Sequence, residues 1–295
     1  MLWVLTTVVA AAAQTARNAM QSSLTASLGT LGATQVRFLY GLPFAVAFLF
    51  AVMVIGGEPM PLPQTKFLTF TTVGALAQIL GTVLLLAAMR DRSFSVATAF
   101  AKTEAVQVAL FGLLILGDHL SVTRGIAIVI ATTGVFLIAV KPGDAWTADR
   151  LRPALYGIAS GGLYAIAAIG FRGGILSLES GAYFVRASTT LVWSLGIQST
   201  LLGLWMVAFQ RDALVKSFVM WRQSLFAGFM GAFASQFWFL GFSLTSAANV
   251  RTLGLIEVLF AQVISRRVFA QVASPRELIG MALVICGVGM LLAAT

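Results

Sequence analysis

Charged residues are scarce in this sequence. Asp, Glu, Lys and Arg make up 10% of its 295 residues, whereas 59% are hydrophobic. A soluble domain carries about 25% charged residues, so the composition favours a lipid surrounding over water. Basic residues outnumber acidic ones, 19 to 10, but they lie singly or in pairs between apolar runs. That spacing is typical of membrane-segment flanks and offers no patch for a nucleic-acid partner.

Cysteine and histidine are almost absent. Cys286 is the only cysteine and His119 the only histidine. A disulfide framework and a cysteine or histidine metal site are therefore excluded, and we expect neither a metal nor another cofactor. The N-terminus has no basic stretch and no cleavage site of a secretory signal, so we expect the residues from Trp3 onward to form a retained first helix.

Long apolar runs fill the rest of the sequence. A transmembrane helix needs roughly 20 mostly apolar residues. The sequence contains ten such segments, at 3–22, 34–55, 66–88, 94–116, 122–140, 153–171, 182–207, 221–242, 246–265 and 277–294. The polar stretch "KPGDAWTADRLRP" separates the fifth from the sixth and divides the chain nearly in half.

The two halves of the sequence resemble each other. Sliding the chain by 153 residues lays Glu104 over Glu257, and a shift of 149 lays Arg37 over Arg186. Because each half has an odd number of spans, the second half must enter the membrane in the opposite orientation. The predicted fold is an all-α integral membrane protein of ten transmembrane helices, arranged as two inverted five-helix repeats around a central cavity. The repeats cover 1–140 and 153–295, with a linker loop at 141–152.

The orientation in the membrane follows from the loop charges. Most Lys and Arg residues lie in loops after odd-numbered spans, whereas Lys66, Arg124 and Arg172 are assigned to loops after even-numbered ones. The positive-inside rule then places both termini outside the cytoplasm.

Several motifs resemble a known family. The tenfold hydropathy, the arginines early in the second and seventh spans, and "ILGDHLSVTRGIAIVIATTGVFL" at 115–137 are similar to the EamA-type branch of the drug/metabolite transporter superfamily. In that family a span reads roughly Glu-Pro, an apolar stretch, then Leu-Gly-Glu. Glu104 and Glu257 match the Glu, but Ala105 and Val258 replace the Pro.

The second part of this motif is kept in one half only. Leu116-Gly117-Asp118 matches Leu-Gly-Glu, whereas the second half has Phe269-Ala270-Gln271. The resemblance covers the whole chain and implies a transporter in the inner membrane of a bacterium. It also implies cytoplasmic termini, opposite to the charge count, so the orientation stays open.

Charges inside the apolar runs are the candidates for function. An ionised side chain at the bilayer centre costs roughly 2.5–3.5 kcal/mol, so it must face a cavity, pair, or reach a head group. Arg17, Arg37 and Arg186 lie near span ends. We interpret them, with Asp118, as structural or gating charges that can also reach the head groups.

Glu104 and Glu257 lie near mid-depth, where a carboxyl group either stays protonated or meets a cation. Lys102 is two positions from Glu104, on another face of the helix, so each of the two needs a different partner. The candidate cavity residues are Lys102, Glu104, Arg251, Glu257, Gln78, Gln236, Trp238 and Tyr164. The alternative is that the carboxylates tether neighbouring helices and the aromatic rings face lipid or pack between helices.

These residues suggest a function. An amino acid zwitterion would present its carboxylate to Lys102 or Arg251 and its ammonium to the glutamates. We therefore expect a secondary transporter, working as a monomer among membrane lipids, that exports amino acids or similar small polar metabolites by alternating access. Protons are a candidate coupling ion, because a membrane carboxyl can carry one.

Three alternatives stay open: a multidrug or other metabolite carrier of the same fold, an accessory membrane protein, or a channel. An intramembrane enzyme is not expected, since every Asp lies in a loop or at a helix end and His119 lies in a turn.

Overall fold

The computed structural model describes residues 1–90, 100–139, 148–260 and 274–294. Within these ranges the chain forms helices joined by short connections, and they contain no strand. Residues 141–147 of the predicted linker, parts of three predicted spans (94–99, 140 and 261–265) and the Phe269-Ala270-Gln271 segment lie outside the described residues. The all-helical class predicted from the sequence agrees with what is described.

The helices follow the predicted apolar runs with some shifts. They are α1 (Leu2–Leu39), α2 (Leu42–Gly56), α3 (Thr65–Arg90), α4 (Glu104–Phe111), α5 (Val122–Ala139), α6 (Ala148–Ser177), α7 (Tyr183–Phe209), α8 (Arg211–Val219), α9 (Trp221–Leu244), α10 (Ala247–Leu253) and α11 (Pro275–Ala293). A π turn, Gly112–Leu116, follows α4, and a 3₁₀ turn, Gly254–Ile256, follows α10.

Six helical segments of the described chain are long and apolar enough to cross a membrane. They are Ser27–Gly56, Thr65–Ala87, Leu155–Ser177, Tyr183–Phe209, Trp221–Leu244 and Pro275–Ala293. Two shorter apolar helical segments, Glu104–Leu116 and Val122–Ile138, lie beside stretches outside the described residues.

The first two predicted spans are joined differently from the prediction. Helix α1 continues through the polar residues between 22 and 34 and is interrupted only at Gly29, whose φ of 71° suits a residue without a Cβ. The second apolar segment accordingly begins at Ser27. Hydropathy misses this continuation, because polar residues keep helical backbone bonds as readily as apolar ones. Pro43 lies at the start of α2, where its missing N–H costs no hydrogen bond.

The chain forms two compact units. Unit 1 comprises Met1–Ile79 and Ala167–Thr245, and unit 2 comprises Leu80–Ile166 and Ser246–Thr295. The boundaries fall inside α3 and α6, so each unit takes one segment from either half of the sequence.

Unit 1 is built on the packing of α1 and α9, with α2 and α7 beside them. Aromatic pairs fill the contact between α2 and α9, as in Phe44 and Phe229, whose rings meet edge to face at 5.2 Å between centroids. Such a geometry adds to the burial of the rings themselves. The arrangement gives unit 1 an apolar core in which polar side chains must find their partners locally.

Unit 2 is built on the close approach of α5 and α11. A methyl group at Gly134 would lie 2.5 Å from the carbonyl oxygen of Gly280, and one at Gly280 would lie 2.7 Å from that of Gly134. Glycine at both positions lets the two backbones touch, as small residues do in membrane helix pairs. Helices α4 and α10 pack on each other in the same unit.

Candidate functional site

The backbone tightens just before Glu104. The chain is helical at Phe100 and Ala101, turns at Lys102 and Thr103, and resumes as α4. Three amides here bond three residues back: Thr103 to Phe100 at 3.2 Å, Ala105 to Lys102 at 3.3 Å and Val106 to Thr103 at 3.0 Å. This is the 3₁₀ pattern, which narrows the helix and redirects the side chains at the turn.

A similar tightening comes just before Glu257. Helix α10 carries Arg251 in its last turn and passes into the 3₁₀ turn Gly254–Ile256. The helix then resumes at Glu257, whose amide donates to the carbonyl of Gly254. The sequence shift of 153 residues lays Thr103 on Ile256, so both irregular turns end one residue before a glutamate. The coincidence agrees with the proposed repeat, which itself stays a prediction.

The four charges form two crossed ion pairs within unit 2. Lys102 Nζ contacts Glu257 Oε1, and Arg251 Nε lies 2.8 Å from Glu104 Oε1. Each pair therefore joins α4 or its preceding turn to the α10 segment. Lys102 and Glu104 have separate partners, as their spacing along the helix suggests. Both predicted glutamates and both predicted cations come together in one place.

The ion-pair cluster is largely but not completely buried. The side chains of Lys102 and Glu257 keep 16% and 9% of their surface accessible, and those of Arg251 and Glu104 keep 12% and 13%. Two cations and two carboxylates cancel in charge, which offsets much of the cost of removing each ion from water. The cluster therefore keeps a small accessible surface.

Helix α6 supports the turn before α4. A methyl group at Gly161 would lie 2.8 Å from the carbonyl oxygen of Ala101 and 3.2 Å from the amide nitrogen of Glu104, so only glycine lets α6 come this close. Gln107 donates to Thr103 Oγ1 at 2.8 Å. The predicted cavity residue Tyr164, one turn beyond Gly161, donates its hydroxyl to Thr82 Oγ1 at 3.0 Å.

The other predicted cavity residues lie in unit 1. Gln78 accepts a hydrogen bond from Gln198 at 2.8 Å, and Gln236 donates to Ser188 Oγ at 2.8 Å. Trp238 Nε1 donates to the side-chain oxygen of Gln14 at 2.9 Å. The structure therefore gives each of these side chains a bond to another helix of unit 1.

Gln14 and Gln198 were absent from the candidates. The signal that could have found both is an amide side chain inside an apolar run.

The predicted structural charges are also placed. Arg17 and Arg37 are each 7% exposed and lie against the same glycine, because a methyl group at Gly231 would be 3.8 Å from Arg17 Cδ and 3.2 Å from Arg37 Cγ. Arg186 lies in α7 and is half-buried. Asp118 follows Gly117, whose φ is 67°, and its amide bonds back to the carbonyl of Gly112 at 3.1 Å. This bond closes the helix end.

Arg172 does not lie in a loop after the sixth span, as the sequence suggested. Helix α6 continues to Ser177, and the Arg172 Nη1 group donates to the carbonyl oxygens of Phe242 at 2.9 Å and Thr245 at 2.6 Å. The guanidinium thereby caps the end of α9, where carbonyls lack helical donors. The prediction was wrong because hydropathy ended the span at the charge.

Comparison with known proteins agrees with this architecture. The model of the EamA-like transporter family matches residues 1–140, which confirms the family resemblance over that part of the chain and is consistent with the drug/metabolite transporter superfamily. Over these residues the chain is similar to a family of membrane transporters. No curated protein matches the chain. A solved structure titled "Crystal structure of protein" has a TM-score of 0.74 and 13% identity, covering 99% of this chain and 95% of that one. At this identity the likeness shows the fold alone.

Proposed function

We propose that this EamA-like chain is a secondary transporter that exports amino acids or similar small polar metabolites across a bacterial inner membrane by alternating access, as a monomer. The observation that carries the proposal is the pair of crossed ion pairs in an otherwise apolar chain. Buried ion pairs seldom add stability over a packed apolar core. Charges kept inside a membrane segment are by default a functional feature.

The substrate class follows from the charges of the cluster. A zwitterion carries one carboxylate and one ammonium, so it can exchange partners with an ion pair without changing the net charge of the site. A solute with a single charge would leave one protein group without compensation. The amino acid zwitterion is therefore the small metabolite type that these four residues fit best.

The transport cycle would use the two irregular turns and the inverted halves. In each half the helix is tightened next to the glutamate, and 3₁₀ stretches inside helices often coincide with hinges. Reorientation of the halves would expose the charges to each side of the membrane in turn. Protonation of Glu104 or Glu257 would break its ion pair, which is how a proton gradient could drive the export.

Flux from proteoliposomes tests the proposal. Vesicles loaded with labelled amino acids should release them faster with wild type than without protein. The double variant Glu104→Gln/Glu257→Gln should release them at the background rate. Glu179→Gln, the same chemical change at an exposed loop residue, serves as the matched control and should keep wild-type flux.

Two outcomes would count against the proposal. Background release by wild type for every solute tested would rule out the carrier, and release of bulky cationic drugs alone would favour the multidrug alternative. Imposing a pH difference across the vesicle membrane tests the coupling, and flux that ignores this gradient would point to facilitated diffusion.

A further inference from the structure

The two ion pairs are chemically different. One joins a lysine ammonium to Glu257, and the other joins an arginine guanidinium to Glu104. An ammonium is a compact point charge, whereas a guanidinium presents a planar fork of donors that matches both oxygens of a carboxylate. Only Arg251 can therefore offer a substrate carboxylate a two-point contact.

The two pairs also differ in the geometry of their contacts. Lys102 Nζ and Glu257 Oε1 are in direct contact, and Glu257 is a buried residue. Arg251 Nε lies 2.8 Å from Glu104 Oε1, but the N–H is not aligned for a hydrogen bond to it. Glu104 Oε1 accepts no hydrogen bond from any described residue, so it keeps its capacity for a donor.

The surroundings of the Glu104 and Glu257 carboxylates also differ. Glu104 lies in the first turn of α4, directly after the Lys102–Thr103 turn. Its own amide and the preceding turn pack closely against Gly161 of α6, which holds the backbone at Glu104 in place. The Glu104 side chain keeps 13% of its surface accessible and that of Glu257 keeps 9%, so Glu104 is the more accessible of the two carboxylates.

We propose that the two pairs have separate roles: substrate opens the Arg251–Glu104 pair, whereas the Lys102–Glu257 pair stays closed and ties the α4 and α10 segments together. This inference rests on the proposed function. The substrate carboxylate takes the guanidinium of Arg251, and its ammonium takes the oxygen of Glu104. When no substrate is bound, Arg251 and Glu104 pair with each other and so take the place of the two charges of the zwitterion. Arg251 and Glu104 are then the residues that determine the charge class of the substrate.

Exchange of labelled amino acids in proteoliposomes, with competitors, tests the assignment. The labelled substrates are alanine, leucine and phenylalanine. Each is tested against two competitors: the amine that lacks its carboxylate and the carboxylic acid that lacks its amino group. Wild type should exchange the labelled amino acid, and neither single-charge analogue should compete with it. Arg251→Met should raise the half-saturation concentration for the amino acid about 10-fold or more. The amine should then compete with it. Glu104→Gln should let the carboxylic acid compete.

The matched change in the other pair is the contrast. The double variant Lys102→Met/Glu257→Gln removes the tie together with both charges, so it should be only slightly less stable than wild type. Its competitor profile should stay that of a zwitterion site. Acceptance of single-charge analogues by this variant, or equal profiles for changes in either pair, would overturn the separate roles.

Two further results distinguish a failure of the separate roles from a failure of the proposed function. Where wild type exchanges no zwitterion at all, the proposed substrate class itself fails. Where Arg251→Met or Glu104→Gln does not fold, the reversed pair Glu104→Arg/Arg251→Glu restores the charges and should again select zwitterions. Loss of that selectivity in folded protein would overturn the assignment.

Discussion

The ion-pair cluster of unit 2 and the buried amides and Arg172 of unit 1 find their polar partners in different ways. In unit 1 the amides of Gln198 and Gln236 bond to fixed neighbours on adjoining helices, and Arg172 bonds to backbone carbonyls. In the ion-pair cluster of unit 2, Lys102 pairs with Glu257 and Arg251 pairs with Glu104, so charged side chains are one another's partners. A backbone carbonyl cannot leave its place, whereas a side-chain ion can exchange its partner for a solute. Under the proposed function, this difference suits the ion-pair cluster to exchange partners with a solute and the bonds of unit 1 to hold its helices together.

Removing one carboxylate from unit 2 should have the largest effect on stability. Glu257→Gln leaves Lys102 with an amide in a mostly buried position, and breaking a buried pair costs about 3–5 kcal/mol. Adding Lys102→Met should recover most of that loss, because the second charge is gone as well. Unfolding in detergent measures both variants, and equal stability of the single and double variants would contradict an ion pair at this place.

Removing the cap of α9 in unit 1 should have a smaller effect on stability. Arg172→Met leaves the carbonyls of Phe242 and Thr245 without this donor, which costs about 1–3 kcal/mol for a buried group. Arg172→Lys should lie between, because one ammonium cannot copy the planar fork. Transport per folded molecule should stay at the wild-type rate. A change in substrate selectivity would contradict the difference drawn between the two units.

The smallest effect is expected at Trp238. Trp238→Phe keeps an aromatic ring but loses the hydrogen bond to Gln14, worth about 1 kcal/mol. Gln14→Leu should cost a similar amount, and the double variant should cost less than the sum. A half-saturation concentration for substrate that shifts while the melting temperature does not would assign Trp238 to the binding site, as the sequence first suggested.

Much of the helical layout could be predicted from the sequence, because apolar runs of membrane length have few other uses. The two glutamates stood out for the same reason, as charges at mid-span. The helical spacing of Lys102 and Glu104 argued against a bond between them. Their actual partners could not be predicted, since pairing Lys102 with Glu257 depends on the tertiary approach of α4 and α10.

Other features escaped prediction for local reasons. Hydropathy stops at charges and polar clusters, so it ended the sixth span before Arg172 and split α1 at its polar middle. The short helix α8 has too few apolar residues to register as a span. The bonds of Gln14 and Gln198 needed a three-dimensional partner, which no periodicity along one helix supplies.

The crossed ion pairs also constrain how the protein is made. Lys102 and Glu104 are translated well before Arg251 and Glu257. Until then Lys102 and Glu104 lack their final counter-ions. Both ion pairs can therefore be complete only after Glu257 has been translated.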